Sequence, residues 1–423
     1  MTRAWRWAFY DWANSAFATV VIAAFFPVFF KTVAAADLAS SEATFWLGLG
    51  NAAASLIVFI AAPVLGGVVD YAGRKQAGLI TATTVSVIAT AALFWVGAGQ
   101  WPLALTCFIV ALAGFFAAMV CYDSLLTDVS ESADYARVSA RGYALGYLGG
   151  GLLLTFDVVL VSAPQWFGLS GPSAAIRWSF VSVALWWLVF SLPLWLGVRE
   201  CRPASPFDLR RAARQSVLDL SDTTRAIVTQ PVIWRFLAAY WLYIDAIHTI
   251  VRMAVDFGLN LGLARQDLVM AILLAQFVGF PASLFFGWLA MHWRLRASIF
   301  IGLGVYAAMS IWSYFLVAAW QFYVMAVCIG LVQGGVQALS RAYFAAIIPA
   351  AQSGRYFGVY NMLGKFSAII GPVLVGVTTM LTGNVRFSIV SVSILLVAGA
   401  IFLATSRDPK QAHRATETVK RSG

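Results

Sequence analysis

The chain has 423 residues, of which 61% are hydrophobic, 15% aromatic and only 11% charged, about half the charged share usual for a soluble domain. Those values exclude a soluble enzyme and describe a protein built for lipid. The net charge of +10 requires no nucleic acid, because basic residues flanking membrane spans and drawn to anionic headgroups account for it.

Apolar runs of about twenty residues recur along the whole length, each enough to cross a hydrocarbon core of roughly 30 Å as a helix. They lack period-two alternation, and backbone in lipid must satisfy its own hydrogen bonds, so helices are predicted in place of a barrel. The spans fall near 7–30, 45–69, 77–98, 102–124, 138–162, 177–198, 231–256, 267–290, 297–317, 321–343, 356–380 and 385–405. This is an all-α membrane protein of twelve transmembrane helices in two six-helix bundles, 1–198 and 231–406. A cytoplasmic linker, 199–230, joins them, and a polar tail, 407–423, is expected to be disordered.

In chain order, span one follows Arg3 and Arg6 and runs to Phe30, longer than a signal-peptide core of about 7 to 15 residues, so it is read as uncleaved. It carries Asp11 and Asn14. The turn between spans two and three reads GGVVDYAGRK (66–75), a pattern of Gly66, Asp70, Gly73, Arg74 and Lys75 in which Gly73 makes the short turn and the bases anchor the next helix. Asp157 in span five receives no role. The linker places Phe207, Leu209, Val217, Leu218 and Leu220 among arginines, a pattern that suits either an interfacial helix or a solvated linker. Cys107, Cys121, Cys201 and Cys328 show no metal or disulfide spacing and are read as packing residues, so neither metal nor cofactor is expected.

Span seven is the richest in intramembrane charge, which is costly in lipid and marks functional candidates. At about 100° per residue, Asp245, His248, Arg252 and Asp256 share an arc of roughly 80°. Arg252 and Asp256, four apart, can also simply pair, and His248 can be a packing residue. Asp245 lies roughly 20 Å along the helix from Pro231, too deep for an interfacial charge. Asp11 and Asn14 have the same spacing in span one, although Trp5-Arg6 aligns with Trp234-Arg235 at an offset of 229 and Asp11 with Asp245 at 234. Asp11 can equally be an ordinary helix-start acid. Lys365 in span eleven lies roughly 15 Å in, with Asn361 a turn earlier, Gln333 and Gln337 on span ten and Gln276 on span eight.

Positive-inside counting assigns 22 Lys and Arg, Arg341 among them, to one side and 4 to the other, leaving Arg252 and Lys365 in the membrane. Both termini are then expected on the cytoplasmic face of an inner membrane.

The 66–75 turn resembles the signature loop of the major facilitator superfamily. That resemblance implies that Asp70 faces the start of span eleven near Arg355 to Gly358 as a conformational latch, and that Arg74 reaches Asp123 at the end of span four. A weaker copy, Gly287-x-x-x-Met291-x-x-Arg294-x-Arg296, occupies the turn between spans eight and nine with the acid lost. YDWANSAFATVVIAAFFPVFF (10–30), YIDAIHTIVRMA (243–254), GGVQALSRAYFAAIIP (334–349) and FGVYNMLGKFSAIIGP (357–372) resemble the autophagy-related protein 22-like family, vacuolar amino-acid effluxers and bacterial relatives. Where relatives tend to read Asp-Gly-x-Gln/Asn-Thr, this chain reads Asp245-Ala246-Ile247-His248-Thr249.

The resemblance implies a monomeric secondary transporter with spans one, four, seven and ten around a central cavity. Its expected partners are a small zwitterionic solute, membrane lipids and protons as candidate coupling ions. The solute carboxylate would face Arg252 or Lys365 and its amine Asp245 or Asp11, with Asp245 and His248 as candidate proton carriers. Two alternatives stand beside it: an exporter of amphipathic drugs or lipids, and a non-transporting receptor or scaffold.

Overall fold

A computed structural model describes residues 1–198, 208–260, 262–366, 370–382 and 385–406. Cys201, the first part of the linker, the tail and the side chain of Asp256 lie outside the described residues. Nine helices among the described residues are long and apolar enough to cross a membrane: spans one to six (Arg3–Ala34, Ser40–Ala72, Lys75–Trp95, Trp101–Val129, Ser132–Ser162, Pro172–Gly197) and eight to ten (Gln266–His292, Leu295–Phe315, Ala319–Ile347). Span seven is the helix Pro231–Asn260, whose charges lower its apolarity. Span eleven is described as Ser353–Phe366 and Ile370–Thr382, and span twelve as Val385–Ser391 and Ser393–Thr405. The twelve spans form the two six-helix bundles of the predicted fold class.

Span two ends as its sequence requires. Gly73 adopts φ +62°, a left-handed conformation that favours glycine, and the Arg74 N–H closes back on the Val69 carbonyl at 3.1 Å. The side of the molecule bearing this turn is called the turn face below.

The two halves repeat a capping device there. Arg6 of span one donates to the Gly197 carbonyl at the end of span six (2.8 Å), and Arg235 of span seven donates to the Thr405 carbonyl at the end of span twelve (3.1 Å). Cationic side chains thus satisfy terminal carbonyls and oppose the negative end of the helix dipole. The equivalence fixes the offset between halves at 229, so the counterpart of Asp11 is Tyr240, and Asp245 sits more than one turn farther from the turn face.

The halves close on each other along the turn face at two glycine-lined crossings. A Cβ on Gly66 of span two would lie 2.0 Å from the Gly354 carbonyl oxygen of span eleven, and one on Gly358 would lie 2.6 Å from the Ala62 carbonyl oxygen. Across the other seam, a Cβ on Gly287 of span eight would meet Ala140 of span five at 2.5 Å, and one on Gly279 would meet Tyr147 at 2.7 Å. Removing side chains is what lets these backbones approach.

The linker forms a helix, Leu209–Thr229, with Ala212, Ser216, Thr223 and Ile227 buried. Ser216 packs against Gly67 of span two, and Asp219 pairs with Arg355 of span eleven at 2.5 Å. It is therefore a docked helix, with Val217 and Leu218 on its exposed side.

Candidate functional site

A cavity of about 300 Å³ lies between the halves. Its wall includes Asp11 and Asn14 of span one, Asp123 of span four, His248 of span seven, Gln276 of span eight, Gln333 and Gln337 of span ten, and Asn361 and Lys365 of span eleven. Seven of the nine candidate substrate and proton residues therefore converge. The other two do not line it. Asp245 is turned to span eleven, where it accepts the Gly371 N–H at 3.0 Å, and Arg252 is exposed. The helical arc placed both on the His248 side, but an arc of roughly 80° is wide enough to include a helix neighbour as well as the cavity.

The centre of the site is a residue that charge counting assigned to the cytoplasmic side. Arg341 is 1% exposed. It lies about six residues, or roughly 9 Å, before the end of span ten, and one and two turns beyond Gln337 and Gln333 on the same face. Its Nη2 lies 3.2 Å from Asp11 Oδ2 and its Nη1 lies 3.1 Å from Asp123 Oδ1. The rest of the guanidinium is claimed by Ser139: Nε donates to its hydroxyl at 2.8 Å and Nη2 to its carbonyl at 3.1 Å. Trp7, Tyr122 and Tyr143 present ring faces to the same cation at 4.7, 5.2 and 4.6 Å.

Each acid has a further partner. The Tyr122 hydroxyl donates to Asp11 Oδ2 at 2.8 Å, and the Asn361 amide donates to Asp123 Oδ2 at 3.0 Å. Gly142 makes room for the cluster, since a Cβ there would lie 2.4 Å from Asp11 Oδ2. A buried charge is tolerated when paired and hydrogen-bonded this completely. Arg341 belongs to the second half, while Asp11, Asp123 and Ser139 belong to the first, so the cluster ties the halves together on the turn-face side of the cavity.

Asp123 is thus not the partner of Arg74; Arg341 and Asn361 take it instead. Asp70 lies where the resemblance of its turn implied. Its two carboxylate oxygens accept the N–H groups of Gly354 (3.1 Å) and Arg355 (2.9 Å), at the start of span eleven, where free N–H groups and the positive end of the dipole favour an anion. Lys75 adds a second tie, pairing with Asp128 and donating to the Ser353 hydroxyl, both at 2.7 Å. The second-half copy keeps its glycine, Gly287, as the close approach to span five. Its Arg296 caps the Ala404 carbonyl of span twelve within its own half.

Asp157 is fully buried and accepts from the Ser182 hydroxyl at 2.9 Å, tying span five to span six away from the cavity.

Twelve spans around a central cavity, helical throughout the described residues, have the architecture of the major facilitator superfamily. The fold superposes on the proton:xylose symporter XylE bound to 6-bromo-6-deoxy-D-glucose with a TM-score of 0.74, over 95% of this chain and 94% of that one, at 13% identity. In sequence, the family described as vacuole effluxer Atg22 like matches residues 43–416. An uncharacterized MFS-type transporter, YxiO, from Bacillus subtilis (strain 168) is 33% identical over 416 residues, 96% of each chain. The chain belongs to the vacuole effluxer Atg22-like family. Autophagy-related protein 22 of Coccidioides immitis (strain RS) is 28% identical over 319 residues, which cover 68% of this chain and 52% of that protein. Family and fold are those of a membrane transporter and not of an enzyme.

Proposed function

We propose that the protein is a proton-coupled secondary transporter that moves a small polar or zwitterionic, amino-acid-like solute across the cytoplasmic membrane by alternating access. The observation that carries this reading is the cavity-lining ion cluster in which Arg341 of one half holds Asp11 and Asp123 of the other. A cluster that bridges two moving bodies and faces the solute path makes charge in the cavity and closure of the turn face interdependent. Protonating Asp11 weakens its tie to Arg341, so Asp11 is the proton carrier in this reading. Beside Phe115, Met119 and Ile244 the cavity wall carries amides, hydroxyls and paired charges that can orient a hydrophilic solute. The basic residues gathered at the turn face make that face cytoplasmic, an imbalance that survives the removal of Arg341 from it.

The test is uptake by proteoliposomes of the purified full chain over a panel of amino acids, peptides, sugars and dyes, with and without a pH gradient. Amino acids are expected to accumulate with the gradient, and Asp11→Asn to lose accumulation while retaining counterflow exchange. Full gradient-driven accumulation by Asp11→Asn would remove Asp11 as carrier, and uptake confined to dyes would overturn the solute class.

A further inference from the structure

We propose that Lys365 is the carboxylate anchor of the cavity, a cation of its wall that no carboxylate of the described residues claims within ion-pair distance, and that the protein therefore selects its cargo by an acid group. The inference rests on the transport reading above and narrows it.

Four ionisable side chains of the cavity wall are decisive: Asp11, Asp123, Arg341 and Lys365. Three of them are mutually satisfied. Arg341 directs donors at Asp11, Asp123, the Ser139 hydroxyl and the Ser139 carbonyl, which leaves little of its planar fork for a ligand. Asp11 and Asp123 accept from Arg341 and also from Tyr122 and Asn361 respectively.

Lys365 differs. Its ammonium lies 3.6 Å from the centroid of the Phe116 ring, and among the described residues no carboxylate stands within ion-pair distance of it. A ring face occupies one side of an ammonium and leaves its remaining N–H donors to be met from elsewhere. The adjacent Gly364 also lines the cavity and adds no side chain of its own. A cation within the wall, held by an aromatic face and lacking an acid, is completed by a ligand carboxylate through a charge-assisted bond.

Position agrees with chemistry. Lys365 is about twelve residues, roughly 18 Å, along span eleven from Ser353, whereas Arg341 is roughly 9 Å from the end of span ten. The ammonium thus stands farther from the turn face than the ion cluster, on the side of the cavity that the closed seam leaves behind it. Neutral amides of Gln276 and Gln333 line the same chamber and can receive the remainder of a polar solute.

The experiment uses the purified full chain in proteoliposomes. Counterflow is measured for the common L-amino acids and for lactate and benzoate, which carry no amine. Each transported acid is then challenged with an excess of its unlabelled self or of its primary amide. In the wild type the free acid should compete roughly tenfold better than the amide or more. Lys365→Met should erase that preference and Lys365→Arg should keep most of it, which loss of packing alone would not produce. Where Lys365→Met fails to insert, thermal unfolding of the wild type reads the same preference: the acid raises the melting temperature and the amide does not.

Undiminished preference for the acid in inserted Lys365→Met overturns the assignment and leaves amino-acid transport standing. Uptake of lactate or benzoate alone, dependent on Lys365, supports the assignment and overturns the amino-acid reading. A wild type that carries none of these acids overturns both.

Discussion

Arg341 holds its position because each of its three nitrogens is answered, and the same fact makes its neighbours dependent on it. Arg341→Met leaves two carboxylates buried without their cation, for which a loss of about 3 to 5 kcal/mol is expected. Thermal unfolding in detergent should register it as a clear fall in melting temperature. Adding Asp11→Asn and Asp123→Asn to Arg341→Met should recover most of that stability without recovering transport, since the bridge across the halves is gone. Asp245 gives the opposite forecast. It accepts a backbone N–H from span eleven and does not line the cavity, so Asp245→Asn should cost about 1 kcal/mol and retain gradient-driven accumulation in vesicles. The sequence displayed Asp245 as the deeper acid, and depth alone did not reveal which neighbour it faces. Arg341 was hidden for the converse reason: a base near a span end satisfies the positive-inside rule equally well as an interfacial anchor. Its alignment with Gln333 and Gln337 at four-residue steps was the available signal that it points inward.

The helices explain why the 66–75 pattern could be read so directly. A left-handed glycine, an acid one turn before it and a glycine four residues earlier each answer a local need, respectively a turn, a helix N-terminus to hold and a backbone to approach. Gly66→Ala would drive a methyl into the Gly354 carbonyl and prise span two from span eleven. Asp70→Asn keeps the packing but leaves one acceptor oxygen for two N–H groups and removes the ion pair with Lys75 at 3.8 Å, a change of about 1 to 3 kcal/mol. Spin labels placed on the turn-face ends of spans two and eleven should therefore show a larger population of separated distances for Gly66→Ala than for Asp70→Asn, with wild type the most closed. Identical distributions in all three would show that neither contact sets the closure. The pairing of Arg74 with Asp123 came from the same likeness as the placement of Asp70 and failed, because no local feature of span four announces that Arg341 has prior claim on the acid.

Across the molecule, long apolar runs and one polar interruption sufficed for twelve spans in two bundles, because lipid leaves the backbone few alternatives. What hydropathy does not encode is how the bundles meet, since both lipid and a partner helix are apolar. The seam is written instead in scattered glycines, while Arg6 and Arg235, each capping a helix within its own half, show how one half maps onto the other. The ion cluster bound across that seam has a consequence for the idle protein. In the transport cycle proposed above, opening the turn face means withdrawing Arg341 from two carboxylates at once and handing all three charges to the water that enters. The closed turn face is therefore the resting form that the cluster favours, and neutralising either carboxylate in the proposed carrier shifts the balance toward the open one.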